Sequence, residues 1–263
     1  MAEPVRVACL PGIFAGAAIA TQIAYPLVDG GGRDAVTTCV VLLGAAACLA
    51  HAGAQRGVGF AVGLLVTTVG IGLAAEVVGV ATGFPFGCYS YAQDRLGPSI
   101  AGVPVVVPLA WTAGMYPIWV VAGLVCRRGW TRVVTTACAA VGWDMYLDPQ
   151  MVSGGQWRWC ATDAGLPGIE EVPWTNFVGW FVVAATMAAA FGWLERSARV
   201  PRSEAVPVVL FCWTWLGSAL AHAVFLPGLD WSAVYGFVGM GVLGAPLLLG
   251  VLLSPSVDTA RGP

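Results

Sequence analysis

Two aspartates, Asp144 and Asp148, stand four residues apart near the end of an apolar stretch of the chain. Four residues of an α-helix advance by roughly 400°, so both carboxyl groups are expected on one helix face. Pro149 follows directly and disfavours helical geometry in the residue before it, which predicts that the helix ends at Asp148. Asp148 then either takes part in chemistry or simply ends the helix at the membrane interface. Asp144 lies a full turn deeper, which favours a functional role.

Glu76 and His222 are two further ionisable side chains inside long apolar runs. Such residues are expensive within a membrane and are therefore functional candidates by default. Each has a structural alternative. Glu76 could form a buried ion pair with Arg95 or Arg158, and His222 could be a hydrogen-bonded packing residue.

Aromatic residues crowd the segment from Gly83 to Pro98, which glycine and proline punctuate as a loop. Non-helical backbone at membrane depth is tolerated only where protein covers it or where it lines a cavity. The segment therefore predicts an aromatic-walled pocket entered from the lipid, with an interfacial aromatic belt as the alternative. The candidate substrate-binding residues are Phe84, Phe86, Tyr89, Tyr91, Trp111, Trp143, Trp157, Trp159 and His222.

The elements that must position these residues are membrane helices. Of the 263 residues, 58% are hydrophobic and 10% are charged, and the mean hydropathy is +0.80. This composition predicts an all-α, polytopic transmembrane helix bundle that forms a single integral membrane domain over residues 1–263. Eight apolar runs are near the roughly 20 residues needed to cross a bilayer. They are Val7–Val28, Ala35–Ala54, Val58–Ala81, Val103–Cys126, Val133–Asp148, Trp174–Leu194, Ala205–Leu226 and Ser232–Leu253.

The fifth run is the shortest, so the count falls to seven if it enters and leaves on one side. Arginine placement favours eight helices, because alternate loops then differ in positive charge. One side receives Arg6, Arg56, Arg127, Arg128, Arg132, Arg196, Arg199, Arg202 and Arg261, and the other receives Arg33, Arg95 and Arg158. This asymmetry predicts a cell-membrane protein with both termini in the cytoplasm. Glu76, Asp144, Asp148 and His222 then all lie toward the external half of the bilayer.

Several function classes are disfavoured by composition and motif. The net charge of −2, with no basic tract, argues against a nucleic-acid partner. Phosphate-binding and zinc-protease motifs are missing, so no metal or cofactor is expected. The eight cysteines show neither a C-x-x-C pair nor a Cys/His ligand spacing. No disulfide framework is therefore expected, and most of the cysteines are interpreted as small membrane-core residues.

Four motifs in this order resemble the CruF-type carotenoid biosynthesis membrane proteins. They are Thr82-Gly-Phe-Pro-Phe-Gly-Cys-Tyr-Ser-Tyr91, Leu96-Gly-Pro, Gly102-Val-Pro through Pro108-Leu-Ala-Trp111, and Trp143-Asp-Met-Tyr-Leu-Asp-Pro-Gln-Met151 with Trp157-Arg-Trp159. The resemblance covers about residues 76–180. It implies hydration of the terminal C1,C2 double bond of an acyclic carotenoid end group to a tertiary alcohol, without a redox cofactor, on a C40 or C50 substrate.

That reaction suits the residues singled out above. Protonation at C2 leaves a tertiary cation at C1, so the site needs an acid, a cation-stabilising wall and one controlled water. Asp144 is the expected general acid, with Asp148 or Glu76 as its ionised partner. Tyr89, Tyr91, Trp143 and Trp157 are the expected wall. The expected partners are a carotenoid, water and membrane lipid, together with other membrane enzymes of the pathway.

Two other interpretations stay open on the sequence. The first is a proton-coupled lipid transporter that uses Glu76, Asp144 and Asp148 as a proton relay, although the motifs gather in one central block rather than in two related halves. The second is another carotenoid- or isoprenoid-modifying enzyme, such as a cyclase, lyase or transferase, although the chain has no D-D-x-x-D motif.

Overall fold

Eight long helical segments form a bundle in the computed structural model, which describes residues 3–161 and 164–253. The segments are α1 (Glu3–Ile23), α2 (Gly31–Arg56), α3 (Val58–Thr82), α4 (Val106–Val125), α5 (Gly129–Ser153), α6 (Trp174–Leu194), α7 (Ala205–Phe225) and α8 (Asp230–Leu253). Short 3-10 turns follow α1 at Tyr25–Leu27 and α6 at Glu195–Ser197. The predicted all-α, polytopic bundle is confirmed.

Seven of these helices are long and apolar enough to cross a membrane, and α5 is the exception. It nevertheless has 25 residues, a length of about 37 Å at the usual helical rise. It packs against α4, α6 and α8 in the middle of the bundle. Protein rather than lipid therefore surrounds much of α5, so it can carry polar residues and still run the full length of the bundle.

The predicted end of α5 at Asp148 is wrong, because the helix continues through Pro149 to Ser153. Proline has no N–H to donate to the carbonyl four residues earlier, which is that of Met145. This carbonyl instead accepts a hydrogen bond of 2.6 Å from the Ser232 hydroxyl of α8. A neighbouring helix thus satisfies the group that Pro149 frees, as membrane helices permit.

The loops at one end of the bundle fold into small antiparallel ladders. The strands are β1 (Tyr89–Tyr91), β2 (Ser99–Ile100), β3 (Val103–Pro104), β4 (Trp157–Trp159), β5 (Gly165–Leu166) and β6 (Ile169–Pro173). The pairs are β1 with β4, β2 with β3, and β5 with β6. The loop after α3 and the loop after α5 are therefore joined through β1 and β4, although they are distant in sequence.

A disulfide between Cys88 and Cys160 closes this end, so the expectation of no disulfide is wrong for that pair. The two cysteines are 72 residues apart, and only the pairing of β1 with β4 brings them together, which is why spacing gave no signal. Arg95 adds a further tie, because its guanidinium donates to both oxygens of Asp34 at 2.8 and 2.9 Å.

The opposite end is held by buried arginines. Arg56 is 5% exposed and pairs with both oxygens of Glu204. Arg132 pairs with Glu195 at 2.6 Å, and Arg56 also lies 3.5 Å from Glu195. The α2–α3, α4–α5 and α6–α7 connections are thereby joined at one end. Of the arginines counted for topology, Arg261 lies outside the described residues, as does the side chain of Arg6.

Helices α5 and α8 approach each other closely at Gly142. A Cβ atom added at Gly142 would lie 2.4 Å from the backbone of Gly239 and Met240, too close for any rotamer change to relieve. Gly142 therefore sets how closely the two helices pack, and with it the position of the aspartates on the same helix.

We expect Gly142→Ala to force α5 and α8 apart and to lower the free energy of unfolding by about 1–3 kcal/mol. Thermal unfolding of the purified protein in detergent measures the effect. Gly70→Ala in α3 is the matched control, because nothing lies within 4 Å of a Cβ at that position. Equal unfolding temperatures for the two variants would contradict the close approach.

Candidate active site

Strand geometry explains the alternation of aromatic and other residues in the two loop motifs. Tyr89 pairs with Trp159 and Tyr91 pairs with Trp157, while Ser90 pairs with Arg158 between them. Successive strand residues point to opposite faces, so all four aromatic rings share one face. The Ser90 and Arg158 pair is exposed, whereas Tyr89, Trp157 and Trp159 are buried. The ladder therefore forms an aromatic cover over the ends of α3 and α5.

Beneath this cover lies a cavity of about 60 Å³, here called the acid cavity. Nine of the predicted residues line it: Glu76, Phe86, Tyr89, Tyr91, Trp111, Trp143, Asp148, Trp157 and Trp159. Leu96, Val106 and Ala110 are among the apolar residues that complete the wall. The sequence motifs thus converge on one cavity that is lined by two carboxyl groups.

Glu76 is held by tyrosine hydroxyls rather than by an arginine. Tyr89 and Tyr91 both donate to Glu76 Oε2, at 2.5 and 2.7 Å, and the Trp111 indole also interacts with this carboxyl group. Burial raises the pKa of both phenols, and the nearby Glu76 raises it further, so the hydroxyls stay protonated and continue to donate.

The ion pairs proposed for Glu76 as a structural alternative do not form. The guanidinium of Arg95 binds Asp34 instead, and Arg158 is exposed on the outer face of β4.

Asp144 and Asp148 share one amide donor. Asn176 Nδ2, near the start of α6, lies 2.8 Å from Asp144 Oδ2 and 2.5 Å from Asp148 Oδ2. A primary amide carries two hydrogens, so it can serve both acceptors at once. The Asn176 amide thus joins the two carboxyl groups into one connected polar group.

The two aspartates differ in access. Asp148 lines the acid cavity and also interacts with the Trp157 indole. Asp144 is 0% exposed, is not among the residues that line this cavity, and has one oxygen, Oδ1, with no hydrogen-bond partner among the described residues. Only Asp148 is therefore placed to touch a molecule in the cavity.

Two other predicted residues lie away from the acid cavity. Phe84 is 72% exposed, and Phe86, two residues later, occupies the wall in its place. His222 bonds Ser232 at 2.8 Å and Gln150 at 2.9 Å. Through Ser232, His222 supports the carbonyl that Pro149 leaves free, which matches the packing alternative considered for it.

Sequence reasoning missed Asn176 and Trp180. Asn176 is a buried amide in an apolar helix, and a search for polar rather than only ionisable intramembrane residues would have found it. Trp180 stacks on Trp111 at 4.1 Å and meets Trp143 edge-on at 5.4 Å. Trp180 stands one turn after Asn176 in an apolar helix, and nothing in the sequence distinguishes it from the other apolar residues there.

Comparison with known proteins decides the family. A family model described as carotenoid biosynthesis protein matches residues 36–243, which contain the whole acid cavity. The chain belongs to the carotenoid biosynthesis protein family. The family membership that the sequence motifs predicted is therefore confirmed.

A bisanhydrobacterioruberin hydratase from Haloarcula japonica is 28% identical to this chain over 182 residues. The matched region covers 62% of this chain and 60% of that relative, so it spans less than two thirds of the relative's length. No solved structure matches the chain.

We expect Asn176→Leu to leave two buried carboxyl groups without their donor and to lower the free energy of unfolding by about 1–3 kcal/mol. Thermal unfolding in detergent measures the loss. Thr186→Val in the same helix is the control, because its hydroxyl bonds only the Val182 carbonyl of its own helix. A stability loss no larger than that of the control would argue against the shared amide.

Proposed function

We propose that this protein adds water across the terminal C1,C2 double bond of an acyclic carotenoid end group and releases a tertiary alcohol, with no redox cofactor. The observation that carries the proposal is the acid cavity, in which Asp148 and Glu76 line one aromatic-walled space. Family membership and the named hydratase relative support the choice of substrate class and reaction.

Asp148 is the proposed general acid, in place of the deeper Asp144. The proton on Asp148 moves to C2, and the positive charge appears on C1, where three carbon substituents stabilise it. Asp144 is the proposed positioning residue, because the Asn176 amide that donates to it also donates to Asp148. A buried acid pair can hold a proton at neutral pH that an isolated surface carboxyl group would lose.

Glu76 is the proposed ionised partner. Its carboxylate faces the cationic intermediate and takes a proton from the water that attacks C1. After product release this proton passes from Glu76 back to Asp148 across the cavity that both residues line, which restores the starting state. The water needs a polar position in the wall. Thr37 supports such a position, because it lines the acid cavity and its Oγ1 is buried without a partner among the described residues.

The aromatic wall supplies the remaining stabilisation. Tyr91 meets Trp157 edge-on at 5.5 Å, and Trp143 closes the far side against Trp180. An aromatic face next to a desolvated cation contributes about 2 kcal/mol. Several faces around one site thus lower the energy of the C1 cation without supplying a competing nucleophile.

The proposed orientation places the acid cavity toward the outside and both termini in the cytoplasm of the cell. Two observations support it independently. Arginine is concentrated at the opposite end of the bundle, and the Cys88–Cys160 disulfide beside the cavity suits an oxidising compartment. Association with other enzymes of the pathway stays a prediction.

We expect Asp148→Asn to lower the hydration rate by about 10²–10⁴-fold, because the amide cannot donate the required proton. The measurement is the initial rate of tertiary-alcohol formation from an acyclic carotene in isolated membranes, with products analysed by mass. Asp94→Asn is the control: it is exposed in the same loop region, and asparagine tolerates its positive φ of 60°.

Product mass also separates the competing functions. Hydration adds one water, cyclisation leaves the mass unchanged but shifts the retention and absorption of the pigment, and transport leaves the pigment unchanged. A wild-type protein that yields only an unchanged or a cyclised pigment would rule out the proposed reaction.

We expect the double variant Tyr89→Phe with Tyr91→Phe to lower the hydration rate by about 10–100-fold, because Glu76 loses two hydroxyl donors while the rings remain. The same membrane assay measures the rate. Tyr235→Phe is the control, since its hydroxyl bonds the Pro167 carbonyl outside the acid cavity. An unchanged rate in the double variant would remove Glu76 and its donors from the mechanism.

A further inference from the structure

A second cavity, here called the middle cavity, adjoins the acid cavity and has a volume of about 140 Å³. Trp143, Leu147 and Met151 line both spaces. These residues are spaced by four along α5, so they form one stripe on its surface. The two cavities are therefore neighbours along a single helix face, with the Trp143 ring at the junction.

A third cavity, here called the outer cavity, continues from the middle cavity and has a volume of about 300 Å³. Tyr25, Gln150 and Ser218 line both of these spaces. Its further wall is apolar and reaches the surface of the bundle at Leu27 and Phe225, which are 78% and 55% exposed. The acid, middle and outer cavities together run from the two carboxyl groups to the lipid-facing surface between α1 and α7.

Helix α7 departs from regular α-helical geometry along this wall. Two π-helical segments, Trp213–Gly217 and Ala221–Phe225, interrupt it. Residues of both segments line the outer cavity. Single π turns within α-helices occur frequently at functional sites, because they displace side chains and open space beside the helix. The irregular backbone and the cavities thus coincide.

We propose that the middle and outer cavities hold the polyene chain of the carotenoid, and that the molecule enters from the lipid between α1 and α7 with its reacting end first. This assignment rests on the proposed function. A conjugated chain is a rigid, apolar rod, so once its end lies between Asp148 and Glu76 the remainder must extend in one direction. The adjoining cavities provide that direction.

The dimensions and chemistry of the path suit this occupant. The wall contributed by α7 runs from Leu210 to Leu226, a distance on the order of 20 Å at the helical rise. Most of the other lining residues are aliphatic or aromatic, including Val40, Ala113 and Ile19. Trp143, at the junction, limits how far the end group passes into the acid cavity.

The test places a bulky side chain in the outer cavity, away from Asp148 and Glu76. Ala221 lines the outer cavity, whereas Ala223, two residues later, is exposed and lines none of the three cavities. Ala221→Trp and Ala223→Trp therefore make the same change on the same helix, one inside the path and one outside it. Both are made in the Asp148→Asn protein, in which bound pigment is not consumed, and in the wild type.

Purified protein is mixed with an acyclic carotene in detergent, and the retained polyene is measured by its visible absorbance, which lipid acyl chains do not share. We expect Ala221→Trp to retain about tenfold less pigment than Ala223→Trp, and the corresponding wild-type variant to lose hydration to a similar extent. Equal retention and equal rates in the two variants would overturn the proposal.

A size-exclusion profile reports whether each variant is folded. If Ala221→Trp fails to fold, Ser218→Leu serves instead, because Ser218 lines both the middle and the outer cavities and the change is smaller. Retention is read without turnover, so the two proposals can fail separately. A protein that retains pigment selectively but adds no water would contradict the proposed hydration and leave the polyene path supported.

Discussion

Buried carboxyl groups in an apolar bundle must find hydrogen-bond donors, and much of this structure follows from how that requirement is met. An isolated charge in such surroundings is too costly to persist. Asp144 and Asp148 draw on one amide from α6, and Glu76 of α3 draws on two hydroxyls from β1. These contacts join the helices and the cover into one unit, so the reactive groups also act as structural links.

Several contacts attach the aromatic cover to the rest of the protein. They keep its two tyrosines pointing inward, with their hydroxyls on Glu76. The Cys88–Cys160 disulfide lies directly beyond the β1–β4 ladder. Arg95 connects the same region to Asp34 of α2 and to the Gly154 carbonyl after α5. A loop of this length at the membrane surface would otherwise be mobile. Its attachment to α2 and α5 keeps the phenols on Glu76.

Helix number and approximate helix position could be predicted from the sequence, because hydrophobic run length and arginine asymmetry are local properties of the chain. The inward aromatic residues were also recognised, since Tyr-Ser-Tyr and Trp-Arg-Trp carry their alternation in sequence. The end of α5 could not be predicted, because the Met145 carbonyl freed by Pro149 finds its donor on Ser232, 87 residues away. The disulfide and the relative access of Asp144 and Asp148 likewise depend on contacts between distant segments.

The distribution of polar atoms in the acid cavity bears on which product a carotenoid cation gives. A tertiary cation beside a polyene can lose a proton, be attacked by a neighbouring double bond, or be captured by water, and the outcome depends on what lies within reach. Nearly all of the cavity wall is aromatic or aliphatic, which protects the cation. Thr37 contributes a buried hydroxyl oxygen without a partner among the described residues, and a single ordered water needs such a group. Hydration therefore depends on polar groups that can hold a water beside C1 in a wall that is otherwise mostly apolar, and a wall without them would favour ring closure or elimination.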